Sequence, residues 1–438
     1  MALELKLHDQ KYWQISPYLA EYLAVEEGDL VWLHVGGDRC QVIVKTYDNY
    51  MCMSLNRQWA EDLHLTPGKW KVRRVRDGIR LGPIIGIVCR KLPSHPPAES
   101  SWPRYLTAID GGLGILVTPE GFDQERRCVH GLILSEDKRS WVEGELPWPD
   151  ALYVRAYPVN AAIKAFFQKE FPFHHFNTQT LFNKWSVFQA LSRRQDIKPY
   201  LPETAILEND PASFKSWVDR FPAVYVKPVF GHKGLGVMRI TAENGNYRIK
   251  YRKNQQNEAA IVPISVPIRQ ELINIMGESQ FIMQQALSMP ENDNRTSDFR
   301  VLLQKKDDGL WYLTCLWGRR GATGSVVTNL ANGGELIPLA KILENGTMPK
   351  ALRIKEIYQL CLLVALTLED HFGQLGEIGL DLCIDCVDHL WILEVNGMPG
   401  KNFLTKFYSP KVTNSVYSAP MLYAAYLSGF SDVIYPLA

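Results

Sequence analysis

The sequence predicts a mixed α+β and α/β protein, and three observations carry that prediction. Residues 1 to about 80 alternate short β-rich runs with turn signals, as in EEGDLVWLHVGGDRCQVIVKTYDNYMCMSL. LGPIIGIVCR (81–90) is a continuous apolar run opening with Gly-Pro, and from 176 onward short strands mix with helical stretches and glycine turns. A chain of 438 residues holds two or three domains, and 46% hydrophobic with 22% charged residues is ordinary for a globular protein.

Charge and targeting signals narrow the function classes. Forty-eight basic against forty-seven acidic residues leave a net charge of +1. No polybasic run advertises nucleic acid or an anionic membrane, so a small molecule or a protein is the expected partner. MALELKLHDQ lacks a basic region leading into an apolar one, and no apolar run reaches ~18 residues. The expectation is a cytoplasmic chain without a membrane span. Eight cysteines in a chain this long read as reduced thiols. Cys383 and Cys386 form a C-x-x-C, but on a strand that spacing points the sulfurs to opposite faces.

Taken in order, residues 1–80 read as a β-rich N-terminal domain, a small barrel or sandwich. LGPIIGIVCR reads as a buried strand opening an α/β segment over 81–175, because a strand covered on both faces is apolar throughout. KLPSHPPAESSWP is a Pro- and Ser-rich loop, ALYVRAY (151–157) another strand, and NAAIKAFFQKEF a helix. In NKWSVFQALSRR, Trp185, Phe188 and Leu191 fall at helical spacing, with Lys184 at the helix start. AVYVKPVFGHKGLGVMRI runs from a strand ending in Lys227-Pro228 into Gly231-His232-Lys233-Gly234-Leu235-Gly236, then into another β-rich run. A P-loop or dinucleotide turn leads from strand to helix, whose N-terminus holds the phosphate. Here the glycines join two strands, so both readings fail. A glycine hairpin can fold over a triphosphate, its N–H groups approaching closely where no Cβ intrudes. A glycine-rich surface turn is the alternative.

Further on, FIMQQALSM reads as a strand ending in a polar bend. Asp298 and Arg300 share a face of the next strand, and Arg319, Arg320 and Asn329 precede Gly333-Gly334. Singly, each charge is more simply a solvated strand residue. The C-terminal stretch GLDLCIDCVDHLWILEVNGMPG reads as a hairpin about a two-residue turn at Asp388-His389, which pairs Asp381 with Asn396. Leu380, Leu382, Ile384, Leu393 and Val395 then form one face, and Asp381, Asp385, Glu394 and Asn396 the other. Hard oxygen donors converging on a rigid hairpin suit Mg2+, which takes one or two carboxylates and completes its octahedron with water and phosphate. An amphipathic hairpin with a solvated polar face has the same pattern.

The order of these features resembles the ATP-grasp superfamily. LGPIIGI, FNTQTLFNKW, LPET, VKPVFGHKGLG, DFRV, VVTNLANGGE, GLDLCID and WILEVNGMPG more closely resemble its YheC/YheD family of endospore coat-associated proteins. The resemblance implies an ATP-grasp domain over 176–438, two α+β lobes clasping ATP, behind an α/β pre-ATP-grasp segment. It assigns Lys184 and Lys227 to the phosphates and folds Gly231, His232, Lys233, Gly234 and Gly236 over them. Gln284, Gln285, Ala286 and Leu287 would meet the adenine edge, and Asp381, Glu394 and Asn396 would bind Mg2+. Arg300 and Asn329 would stabilise the transferred phosphoryl group, with GMPGK beneath it. Glu291 and Asp293 are alternatives for the ribose. Lys233 precedes Gly234, whereas many ATP-grasp loops place the lysine after a second glycine pair. The implied reaction joins a carboxylate to an amine through an acyl-phosphate, on a peptide or an amino-acid-bearing polymer of the spore surface. A non-catalytic coat protein on the same scaffold, partnered by other coat proteins, is the alternative.

Overall fold

The computed structural model describes residues 2–47, 52–231, 234–253, 256–292, 295–328, 330, 333–344 and 346–431. Its strands form four sheets. The first is a closed barrel of seven strands, from Ala2–His8 to Gly78–Gly82. Alternation builds it: Leu33 and Val35, Val42 and Val44, and Met53 and Leu55 turn inward and are buried. Gly36-Gly37 closes the hairpin between Val35 and Asp38. Gly36 has a φ of 55°, and a Cβ there would lie 2.3 Å from the Trp148 carbonyl oxygen, so only glycine fits.

The second sheet has six strands and is centred on Ile84–Val88, buried along its whole length as its unbroken apolar sequence requires. That strand pairs in parallel with Leu113–Asp123 on one side and Ala151–Val154 on the other. The helix Ala161–Glu170 follows, capped by Asn160, whose Oδ1 accepts the Ile163 N–H at 2.9 Å.

The remaining two sheets form the lobes of a cleft. One is antiparallel, with Val224–Pro228 and Met238–Glu243 at its centre, Phe281–Gln285 beside the first, and the helices Pro211–Arg220 and Ile268–Met276 packed on it through Phe214, Val218 and Leu272. The glycine loop here joins Val224–Pro228 to its antiparallel neighbour Met238–Glu243, strand to strand. The other lobe is centred on Arg295–Lys305, flanked by Trp311–Arg320 and Glu377–Ile384, with Leu390–Asn396 beyond. One of its faces carries Phe299, Val301, Ile378 and Leu380 and is covered by the helices Lys184–Ser192 and Lys350–Phe372. From the opposite side Leu302 and Trp317 pack with the helix Pro410–Leu427 and with Ile85 and Tyr153 of the second sheet.

The C-terminal hairpin departs from the predicted register. Its loop is longer than two residues: Asp388 takes a φ of 63°, and the Asp385 N–H donates to the His389 carbonyl at 3.0 Å. The Asp385 carboxylate closes this turn, accepting from the Val387 and His389 N–H groups at 3.0 and 2.8 Å and from Trp391 Nε1 at 2.8 Å. It therefore does not join the polar face. The ladder shifts between Asp381 and Leu382, so that Asp381 opposes Glu394, Gly379 opposes Asn396 and Leu382 opposes Ile392. Leu393 is the extra residue of a bulge. Ile392 takes the buried place predicted for Leu393, which lines the cleft instead.

Candidate active site

The two lobes face each other across a cleft that collects Lys184, Lys227, Gly231, Gly234, Gln284, Gln285, Leu287, Asp381 and Glu394. Lys184 opens its helix, capped by Asn183, which accepts from Trp185 and Ser186 N–H at 2.9 and 3.0 Å. The Lys184 Nζ lies 3.3 Å from Glu394 Oε1 and donates to the Gly231 carbonyl at 3.2 Å. Lys227 comes from the central strand of the other lobe, and its Nζ donates to Gln284 Oε1 at 2.6 Å. Gln284 is itself oriented by Thr204, whose Oγ1 accepts from Nε2 at 3.0 Å. Burial pushes the Lys227 ammonium down to about 8, against the opposing pull of Glu394. Among the described residues this half-buried lysine has an amide oxygen as its hydrogen-bond partner and the Tyr225 ring at 5.7 Å, so it is poised to gain an anion.

On the facing lobe, Arg300 grips Asp381 through two parallel bonds, Nε to Oδ1 at 2.5 Å and Nη2 to Oδ2 at 2.6 Å. Arg319 grips Asp298 in the same way at 2.7 Å twice, and its Nη2 also reaches Asp381 Oδ2 at 3.0 Å. Thr328 completes the set by donating to Asp298. Burial raises the Asp381 carboxyl, but Arg300 and Arg319 outweigh it and hold the group at about 2. It is ionised at any working pH.

Asp381, Glu394 and the Asn396 amide oxygen have the oxygen chemistry that Mg2+ takes, and here both Asp381 oxygens are held by Arg300 and Arg319 and Glu394 by Lys184. Asp381 and Glu394 are direct cross-strand neighbours, and Glu394 and Asn396, two apart, share their face. The Asn396 Nδ2 is buried and has no partner among the described residues. An amide N–H2 donates, so this orphan calls for an acceptor such as a phosphate oxygen, and a metal contact from Asn396 would have to come from its Oδ1. No group of three or more His, Cys, Asp or Glu side chains that could hold a metal occurs among the described residues.

Other predicted residues fall elsewhere. His232, Lys233, Asp293 and Asn329 lie outside the described residues. Gly236 has a φ of 77° and packs against Pro228, shaping the loop from outside the cleft lining. The Ala286 N–H is taken by the Ala223 carbonyl at 3.2 Å, and Gln285 Oε1 accepts the Glu203 N–H at 3.2 Å. Leu287 faces the cleft, while Glu291 lies on the short strand Glu291–Asn292. The prediction left out Asp298 and Arg319 as site residues, although their strand positions singled them out. It also left out the apolar lining of Tyr225, Leu235, Met289, Val327 and Leu393. The bulge that turns Leu393 inward leaves no periodic signal.

A family model described as YheC/D like ATP-grasp matches residues 172–427. The endospore coat-associated protein YheD of Bacillus subtilis (strain 168) is 26% identical over 366 residues, covering 80% of this chain and 80% of that protein. YheC of the same strain is 24% identical over 322 residues, covering 72% of this chain and 87% of that protein. Among solved structures, the VanG D-Ala:D-Ser ligase from Enterococcus faecalis aligns with a TM-score of 0.46 at 10% identity, over 80% of this chain and 99% of that chain. With the family match running through both lobes of the cleft and over more than half of the sequence, the chain belongs to the YheC/D-like ATP-grasp family.

Proposed function

We propose that the chain is an ATP-dependent carboxylate–amine ligase. The observation that carries the reading is one cleft between the lobes lined by Lys184, Lys227, Arg319, Asp298, Asp381 and Glu394, with Arg300 opening into the adjoining cavity. Lys184 and Lys227 are compact charges on long stems, suited to neutralising phosphate oxygens. Asp381, Glu394 and Asn396 would hold Mg2+, which when bound offsets phosphate charge beside the transferred group. Arg300, fixed by Asp381, holds a cation where negative charge gathers on the transferred phosphoryl group.

In this reading a substrate carboxylate oxygen attacks the γ-phosphorus, the bond to the β,γ-bridging oxygen breaks, and ADP leaves. The amine of the second substrate then attacks the acyl carbon, phosphate departs, and the amine loses a proton to give an amide. No covalent nucleophile of the protein is required. The loop bearing Gly231 and Gly234 excludes water that would hydrolyse the acyl-phosphate.

The test is a mass-spectrometric screen of the protein with Mg-ATP, mixed acids and mixed amines. A product lighter by one water than the summed substrates, formed together with ADP, is expected. Glu394→Gln should lower turnover at least ~100-fold, because misplacing phosphoryl-transfer groups is costly even when binding persists. The relatives' description as endospore coat-associated favours a second reading, a coat component that binds without turnover. In that case wild type and Glu394→Gln would support the same spore phenotype at equal abundance. Among the described residues no helix is long and apolar enough to cross a membrane.

A further inference from the structure

A second cavity, of about 640 Å³, adjoins the cleft and shares Gly231, Arg319 and Glu394 with it. Its far wall comes from Tyr105 on the helix Trp102–Leu106 and from Arg155 and Tyr157, just beyond the strand Ala151–Val154, and its floor from the segment 397–403. The charges that line it are Arg155, Arg300, Arg319 and Lys401 against Glu394 alone. The other carboxylates of the region stand behind their cations: Asp381 behind Arg300, and Glu377, fully buried, behind Arg155 and Lys401. The cavity therefore presents a positive surface with aromatic walls, of which Trp317 and Phe403 are part.

Arg155 is held firmly. Its Nη1 donates to Glu377 Oε1 at 2.8 Å and to the Tyr153 hydroxyl at 2.6 Å, and its Nη2 to the Pro399 carbonyl at 3.4 Å, while its side chain keeps 13% of its surface open. Lys401, on the other oxygen of Glu377, is only 1% exposed, so Arg155 is the cation a ligand can reach at this end. The opposite end is set by Arg300 on Asp381. Glu377 and Asp381 lie four residues apart on one face of one strand, so the two carboxylates that hold the arginine anchors are spaced by about 13 Å along it. An extended chain advances roughly 3.3–3.6 Å per residue, so about three residues bridge that span.

We propose that one of the two substrates is a peptide-like chain of about three residues whose free carboxylate docks on Arg155, its reacting end lying at Arg300. This rests on the ligase reading above and names the substrate class for its cavity. A single amino acid is too short to touch both anchors, and a neutral ligand gains nothing from the positive charge of the open edge of Arg155.

The test reads binding without turnover. The full chain, saturated with Mg2+ and a non-hydrolysable ATP analogue, is mixed with a random tripeptide library as free acids or as C-terminal amides. Retained peptides are then counted by mass spectrometry. Acids should be retained at least ~10-fold over amides, and tripeptides over single amino acids. Arg155→Lys keeps a cation on Glu377 but loses the planar fork, so the acid preference should fall to near parity. If Arg155→Lys folds poorly, Arg155→Gln, which leaves Glu377 paired with Lys401, serves in its place. Equal retention of acids and amides overturns the proposal, as does an acid preference that survives loss of Arg155, or a preference for single amino acids. A failed ligation screen leaves a positive outcome here intact. Failure here leaves ligation of other substrates open.

Discussion

Lys227 shows how one residue can be costly to the fold and still be kept. Its folded pKa of about 8 lies below the 10.5 of a solvated lysine, so the unfolded chain binds the proton more tightly. The charged side chain therefore lowers stability at pH below about 8, and the penalty fades as pH rises from 8 to 10.5. Lys227→Met removes a penalty of about 3 kcal/mol and strands the Gln284 oxygen at a cost of about 1–2 kcal/mol. The variant should be as stable as wild type or slightly more so near neutral pH, by denaturant titration. Its ATP affinity should drop by at least ~10-fold, since a charge-assisted phosphate contact is lost. In wild type, calorimetric ATP affinity should weaken as pH rises above about 8, where the free protein's lysine loses its proton. In Lys227→Met that slope should vanish. A variant that is destabilised yet binds ATP normally would make Lys227 a structural residue.

At the scale of elements, the C-terminal hairpin separates what a sequence displays from what it hides. The alternation of Asp381, Glu394 and Asn396 with apolar neighbours was legible, because a strand's period of two survives any local shift that preserves a face. The register was not, because it depends on Asp385, whose carboxylate wraps the turn and lengthens the loop beyond the two residues assumed. The bulge at Leu393 restores the faces beyond it, so the donors still converge although Asp381 opposes Glu394 rather than Asn396. The clamp of Arg300 and Arg319 on Asp381 and Asp298 was half legible: the strand positions were visible, but pairing across strands is a tertiary fact. Asp385→Ala removes three hydrogen bonds from the turn, and a loss of about 1–3 kcal/mol is expected by thermal unfolding. If the turn also sets the donors, Mg2+-dependent ATP binding should weaken more than metal-free binding. An equal loss in both would show that the hairpin ends hold their geometry without the turn.

At the scale of the whole molecule, the second sheet and the C-terminal lobe meet on a single buried carboxylate. Glu377 accepts from Tyr153 at 2.8 Å and Arg155 at 2.8 Å on one oxygen, and from Gln304 at 2.5 Å and Lys401 on the other. Burial alone would raise its pKa, but Lys401 and Arg155 outweigh burial and hold it below the usual carboxylate range. Asn177 adds a backbone tie beside it, donating to the Glu377 and Gly397 carbonyls at 2.6 and 2.8 Å and accepting from the Gly376 and Glu377 N–H groups. Glu377→Ala leaves Arg155 buried without its carboxylate and Lys401 likewise, a loss of about 3–5 kcal/mol. Glu377→Gln keeps the shape and some hydrogen bonds and should cost less. Because Tyr153 belongs to one sheet, with Arg155 just past the end of its strand, and Gln304 to another, the loss should appear as uncoupling as well as weakening. Hydrogen exchange should rise in Ala151–Val154 and in Glu377–Ile384 together, while the barrel of residues 2–82 keeps its protection. Exchange that rises in one sheet only, or a Glu377→Ala protein that melts with wild type, would show that the apolar packing of the helix Pro410–Leu427 joins the two sheets without help from the carboxylate.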